Sequence, residues 1–160
     1  MAAPAPLPCY EDSVRAEWVD YNGHMNAGAY AVVFSDAIDG LMDWLGLDAA
    51  FRAEHAYTLF TLETHIRYLR EAHRGQPIVV DVVLLDDDTK RLHVFEEMRA
   101  PGADEPIATC EAMLMGVDQS AGRAAAFPPA IAARVDLLRG QHGADEPPAG
   151  AGRSIGIRRR

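Results

Sequence analysis

A chain of 160 residues supports one domain with a real core and is short for two. Its 49% hydrophobic and 24% charged residues lie in the globular range, and 15 basic against 24 acidic residues give a formal charge of -9, which repels a phosphate backbone and argues against nucleic acid as a partner. No apolar run approaches the roughly 20 residues of a membrane span, and Cys9 and Cys110 are too few for a disulfide framework, so no membrane and reduced thiols in a cytoplasm are expected.

Residues 1–9, MAAPAPLPC, carry no basic residue and several prolines, so they read as an N-terminal extension rather than a secretion signal. Residues 10–18 are expected as a short strand with Val14 and Trp18 apolar. From Asn26 the period becomes helical. Tyr30, Val33, Phe34, Ala37, Ile38, Leu41, Trp44 and Leu45 recur at three and four, Asp36, Asp39 and Asp43 take the other face, and Gly46 is placed to end the helix. That is about 20 residues, roughly 30 Å of helix. Residues 49–54 suggest a short helical turn.

Four strand-like segments follow, at 57–69, 77–85, 91–99 and 107–117, the second containing IVVDVVLL. Asp86-Asp87-Asp88-Thr89 turns the chain between two of them, and the Pro/Gly/Asp loop 100–106 separates the last two. Connections this short predict an antiparallel meander. Residues 128–139 read as a second amphipathic helix through Ile131, Val135 and Leu138. One domain over residues 10–139 is expected, followed by a mobile tail, 140–160, that ends in RSIGIRRR. A long helix with one apolar stripe must bury it, and a sheet with a free face is the available surface. The fold class expected is α+β, an antiparallel sheet wrapped around one long central helix.

Between the first strand and the helix stands Asp20-Tyr21-Asn22-Gly23-His24-Met25-Asn26. Asp, Asn and Gly are turn formers, and Asn26 is placed as the helix N-cap. That reading leaves Asp20 and His24 without a duty.

This order and this loop resemble a hotdog-fold thioesterase of the 4-hydroxybenzoyl-CoA thioesterase type, from about residue 10 to residue 117. Asp20-Tyr21-Asn22-Gly23 is similar to the turn where that family places its catalytic aspartate. The pattern of Asp20, Asn22 and His24 resembles the catalytic run of plant acyl-carrier-protein thioesterases. LETHIRYLREAHRGQPI, residues 62–78, is similar to the family's second strand and the glycine turn after it. A closer resemblance, to the betainyl-CoA thioesterases of carnitine and betaine metabolism, rests on EWVDYNGHMN, LETHIRYLREA, KRLHVFEEM and GRSIGI. With no dinucleotide-binding segment, the form expected is the free-standing one rather than the fusion to carnitine dehydrogenase.

The resemblance implies hydrolysis of a small acyl-CoA thioester, with Asp20 as nucleophile or general base. The unpaired N–H groups at the helix start, around Asn26 to Gly28, would polarise the carbonyl oxygen. Asn22 would orient Asp20 or hold a water, and His24 would bond the carboxylate or steady the leaving thiolate. Glu63 and Thr64 sit mid-strand in an apolar segment. Glu63 is preferred as a site residue over Glu71, which matches the plant enzymes' catalytic glutamate in position but reads as a solvated charge. A trimethylammonium group is held by aromatic faces and a carboxylate, so Trp18 with Tyr30 or Tyr21, plus Glu63, would form a cage. Phe34 and Phe60 lie near the motif. Arg67, Arg70, Arg74, Lys90 and Arg91 are candidates for the CoA phosphates. No cofactor or metal motif is present. A homodimer or homotetramer with its site at the subunit interface is expected, since a five-stranded sheet leaves edges to cover. The alternatives are a short-chain, aryl or acyl-carrier-protein thioesterase, a non-catalytic acyl-CoA-binding module, and a hotdog dehydratase.

Overall fold

The structure, a computed structural model, describes residues 6–142 and 146–159. Part of the expected N-terminal extension (1–5) and of the expected tail (143–145 and 160) lies outside the described residues. The elements run β1 (Leu7–Ser13), a 3-10 turn (Ala16–Trp18), α1 (Ala27–Leu45), α2 (Ala49–His55), β2 (Tyr57–Tyr68), β3 (Pro77–Asp87), β4 (Arg91–Arg99), β5 (Ala108–Asp118), β6 (Arg123–Ala124) and α3 (Pro129–His142).

Helix α1 begins where the sequence places it. Asn26 is extended and its Oδ1 accepts from the Ala29 amide at 3.0 Å. Ala29, Tyr30, Val33, Phe34, Ala37, Ile38, Leu41, Met42 and Leu45 are buried along one stripe. The sheet wraps that stripe with Val80, Val82, Leu84, Leu92, Val94, Met98, Ala108, Cys110, Ala112 and Leu114. Gly40 sets how closely α1 lies on β1, because a Cβ there would overlap the carbonyl of Cys9.

The sheet order is β1-β3-β4-β5-β2, all antiparallel, with β6 beside β5. Two expectations are corrected here. The first strand ends at Ser13, and Trp18 belongs to the 3-10 turn instead, because after extended Arg15 the chain coils over Ala16–Trp18, where the Trp18 amide donates to the Arg15 carbonyl at 3.1 Å. The four later strands do not form one meander either. Only β3-β4-β5 do, while β2 lies on the far side of β5. The connection 69–76 is long enough for that crossing, since eight extended residues reach about 26 Å and three strand spacings take about 14 Å. It is held on the way, Leu69 and Arg70 amides donating to the Ile107 carbonyl and Ala72 accepting from Met25 at 2.8 Å. Ala72 is fully buried.

One consequence is that β2 is an edge strand whose residues 60–64 are exposed, with Phe60 and Leu62 each about half exposed at 49% and 54%. Some residues of the expected tail line a cavity on the sheet. Residues 152–155 run over the face of the sheet that carries Glu63, His65, His93 and Glu111, and the Gly152 amide donates to Glu111 Oε2 at 2.7 Å.

Candidate active site

The seven-residue loop is a closed hairpin-like turn. Val19 and Met25 pair across its neck, the Asp20 amide donates to the His24 carbonyl at 2.9 Å, and Gly23 donates to the Asp20 carbonyl at 3.0 Å. Gly23 sits at φ +81, a conformation that favours glycine. Asp20 Oδ1 accepts from the Asn22 amide at 2.8 Å and, more weakly, from His24 at 3.4 Å. Asp20 therefore does make the Asx turn that its residue type suggests. Only one oxygen is used for it. Oδ2 has no partner among the described residues, so a carboxylate whose orientation is fixed by backbone amides keeps one oxygen for chemistry.

Asn26 joins this loop to the helix. Its Nδ2 donates to the Trp18 carbonyl at 2.7 Å while its Oδ1 caps α1. Ala27 and Gly28 are exposed at the helix start, where their amides have no intrahelical partner and carry the positive end of the dipole. A Cβ on Gly28 would come within 3.3 Å of Asn26 Oδ1, pressing on the cap. The Asp20 oxygen, the open amides and Gly28 thus belong to one continuous stretch.

The connection 69–76 closes the other side. His24 pairs with His73 in an isolated antiparallel bridge, and His24 Nε2 lies 3.1 Å from Glu71 Oε2. Sequence reasoning prefers Glu63 over Glu71 for this neighbourhood, and the fold places Glu71 there. Tyr30 is buried with its hydroxyl 3.5 Å from the Arg70 carbonyl and its ring edge-on to Tyr68 at 5.2 Å. Tyr68 in turn donates to the Ala27 carbonyl at 3.3 Å. Burial first of all pushes the Tyr30 phenol above its usual range, so it stays a neutral hydroxyl.

Other predicted residues sit apart within one chain. Trp18 is buried, with the Arg15 guanidinium 4.7 Å from its ring centroid, so a cation already stands on that ring. Tyr21 is 97% exposed, and Asn22 also points outward in the sense that it is exposed. Glu63 pairs with Met113, and His65 with Glu111, on the sheet face away from α1. That is five residues, about 17 Å, up the strand from Tyr68. Glu63 and Thr64 line a different cavity of about 560 Å³, with His65, His93, Glu111 and the tail, where His93 Nε2 meets Glu111 Oε1 at 2.7 Å. Of the basic candidates, Arg70 is paired with Glu105 and Arg91 with Asp88, while Arg74 is exposed in the turn beside His73. The only sequence signal for Glu71 near His24 is its resemblance in position to the plant enzymes' catalytic glutamate, and His73 has none, because some 47 residues separate them from His24 and only the crossing of β2 to β5 unites them.

Comparison with known proteins fits this architecture. A family model, the thioesterase-like superfamily, matches residues 14–135. The betainyl-CoA thioesterase of Pseudomonas aeruginosa is 42% identical over 94% of this chain and 95% of its own. The L-carnitine dehydrogenase/betainyl-CoA thioesterase of Rhizobium meliloti is 39% identical over 98% of this chain, which spans only 32% of that larger protein. Among solved structures, a Staphylococcus aureus protein in complex with CoA superposes with a TM-score of 0.87 at 31% identity, covering 99% of this chain and 100% of the other. A thioesterase assigned from Pseudomonas putida KT2440 gives 0.83 at 38% identity, covering 97% and 99%. A match that runs from the end of β1 into α3 takes in the loop, the central helix and the sheet around it, and the chain belongs to the thioesterase-like superfamily, with its hotdog fold.

Proposed function

We propose that this chain hydrolyses betainyl-CoA to betaine and CoA, water adding to the thioester carbonyl and the thiolate leaving. The observation that carries the reading is the 42% identity to the Pseudomonas aeruginosa enzyme over nearly the whole of both chains. Asp20 supplies the working carboxylate, through the oxygen that its turn leaves free. It acts either as nucleophile or as the base that activates water, and the amides of Ala27 and Gly28 receive the carbonyl oxygen. His24, whose Nε2 lies 3.1 Å from Glu71 Oε2, assists the departing thiolate. CoA enters as part of the substrate, and no cofactor is invoked.

We place the enzyme in the cytoplasm, where the free thiols of Cys9 and Cys110 would stay reduced. No helix of the described residues is long and apolar enough to cross a membrane. A homodimer fits the exposed edge of β2, where Phe60 and Leu62 offer apolar contact and open backbone groups offer hydrogen bonds to a second copy. Pairing of copies there would also bring a second chain's residues beside Glu63 and the loop.

The test is thiol release from betainyl-CoA against its neutral isostere, 3,3-dimethylbutyryl-CoA. A cation held by an aromatic face gains about 2 kcal/mol when desolvated. Wild type should therefore favour the cationic ester at least tenfold in kcat/KM, since about 1.4 kcal/mol is a factor of ten. Preference for the neutral ester would support a short-acyl thioesterase instead, a reading favoured by the occupation of the Trp18 ring by Arg15.

A further inference from the structure

His24, Glu71 and His73 come together at the mouth of the catalytic loop, and their potential ligand atoms all lie within 4.8 Å of one another. The two histidines are fixed backbone to backbone by the antiparallel bridge, with their ring centroids 4.9 Å apart at 70°. Beneath them the Met25 amide bonds the Ala72 carbonyl at 2.8 Å. On the His73 side the turn is closed by the Gln76 side chain, whose Oε1 accepts from the His73 amide at 3.0 Å. The frame is therefore rigid while the side chains are not. Glu71 is 67% exposed and its ion pair with His24 is of the surface kind, which contributes little and leaves the carboxylate free to turn.

We propose that His24, Glu71 and His73 form a binding site for a divalent transition metal of the zinc class, and that its occupation restrains the Asp20 loop and inhibits the enzyme. Two imidazole nitrogens and one carboxylate oxygen are a donor set that suits zinc, with water completing a tetrahedron. Bonds of about 2.0–2.1 Å place tetrahedral ligands roughly 3.3 Å apart, so the present spacing needs a contraction of no more than about 1.5 Å. Rotation of the exposed Glu71 and His73 side chains supplies that without moving the bridge. The chain's charge of -9 favours a cation.

The link to catalysis runs through His24. Its amide leans on Asp20 Oδ1 and its carbonyl accepts from the Asp20 amide, so a metal on its ring is attached to the backbone that grips the working carboxylate. A metal would also take the imidazole away from the thiolate. This second half rests on the proposed role of Asp20 and His24, whereas metal binding does not.

The experiment uses untagged full-length protein, stripped with a chelator and desalted, then titrated with zinc chloride by calorimetry and followed by thermal unfolding. Magnesium chloride serves as the hard-cation control. Wild type should bind one zinc per chain, unfold at a higher temperature with it, and ignore magnesium. Loss of an outer-sphere partner alone weakens metal sites by 10–100-fold, so His73→Ala and Glu71→Gln should each weaken zinc binding at least about tenfold. Equal binding by wild type and both variants, or none by wild type, overturns the site. In the activity arm, zinc should slow thioester hydrolysis by wild type and spare His73→Ala, whose metal-free rate should match wild type. Site-dependent binding with no change in rate overturns the inhibition and leaves the site standing. A chain with no thioesterase activity would overturn the functional reading without touching the calorimetric result.

Discussion

Glu96 is a carboxylic acid in the middle of the core, and replacing it with glutamine should change how stability depends on pH. It lies on the α1-facing side of β4 between Val94 and Met98, opposite Cys110, and is 1% exposed with no hydrogen-bond partner for its Oε2. Burial raises its pKa to about 8, while a hydrogen bond from the Cys110 thiol pulls weakly the other way. In the folded chain it is therefore protonated through neutral pH. In the unfolded chain it ionises near its ordinary value of 4.5.

The native state thus binds the extra proton between about pH 4.5 and 8, so stability must fall as pH rises through that window. At pH 7 the gap is about 2.5 units, which at 1.36 kcal/mol per unit costs on the order of 3 kcal/mol, and the loss levels off above pH 8. Glutamine keeps the shape and a fixed desolvation cost but has no proton to lose. At about 2–4 °C per kcal/mol for a domain of this size, the unfolding midpoint of Glu96→Gln should gain on the order of 10 °C relative to wild type between pH 5 and pH 8. The neighbouring thiols do not blur this window. Burial pushes Cys9 up to about 12 and Cys110 up as well, so both are neutral in the folded chain, and the unfolded thiols ionise only near 9.0. Circular-dichroism melts of both proteins across that range make the measurement. Parallel midpoint curves would refute the reasoning, because they would mean that Glu96 titrates alike in both states.

Three further outcomes follow from the site and the edge. Asp20→Asn keeps an oxygen for the Asx turn but loses the charge, so thioester turnover should fall by at least 100-fold while the melting midpoint stays near that of wild type; retention of a tenth of the activity would show that Asp20 is only a turn former. Asn26→Ala removes a helix cap and a half-buried bond to the Trp18 carbonyl, together about 2 kcal/mol, whereas Asn26→Asp keeps the cap and should recover about half of that in denaturant melts. Leu62→Asp places a charge in the exposed middle of β2, the edge proposed to pair with a second copy, and should halve the mass measured by light scattering; an unchanged mass would overturn pairing at that edge.

The parts of the fold legible in the sequence were those governed by local periodicity. Nine buried residues along α1 follow the three-and-four spacing because a single helix buries one stripe, and Asn26 and Gly46 mark its ends by chemistry that acts within a few residues. What stayed hidden was the order of the strands. Segments 57–69 and 77–85 read as neighbours because they are adjacent in sequence, yet nothing in either says that β2 must cross to β5. That crossing decides which carboxylate meets His24. Glu71 lies in the crossing segment itself, and Glu63 is carried up the strand to the far face. Asp20, Asn26 and Gly28 could be read together because they form one stretch of chain, while of the partners of His24 only Glu71 was suggested, through the resemblance, because both arrive from elsewhere.

The same distinction bears on how a loop rich in turn formers could serve as the proposed reaction centre. Turn chemistry and catalysis are usually weighed against each other at such a motif, and here the turn occupies only one carboxylate oxygen of Asp20, leaving the other for the proposed chemistry. Asp20 spends Oδ1 on the amides of Asn22 and His24 and keeps Oδ2. Asn26 divides its amide likewise, Oδ1 to the helix and Nδ2 to the Trp18 carbonyl, so the first turn of α1 and the neck of the loop cannot shift independently. A carboxylate held in this way is fixed by backbone amides before any substrate arrives, and fixed dipoles stabilise a developing charge without reorganising. In the proposed hydrolysis the turn would supply the precision that the reaction requires.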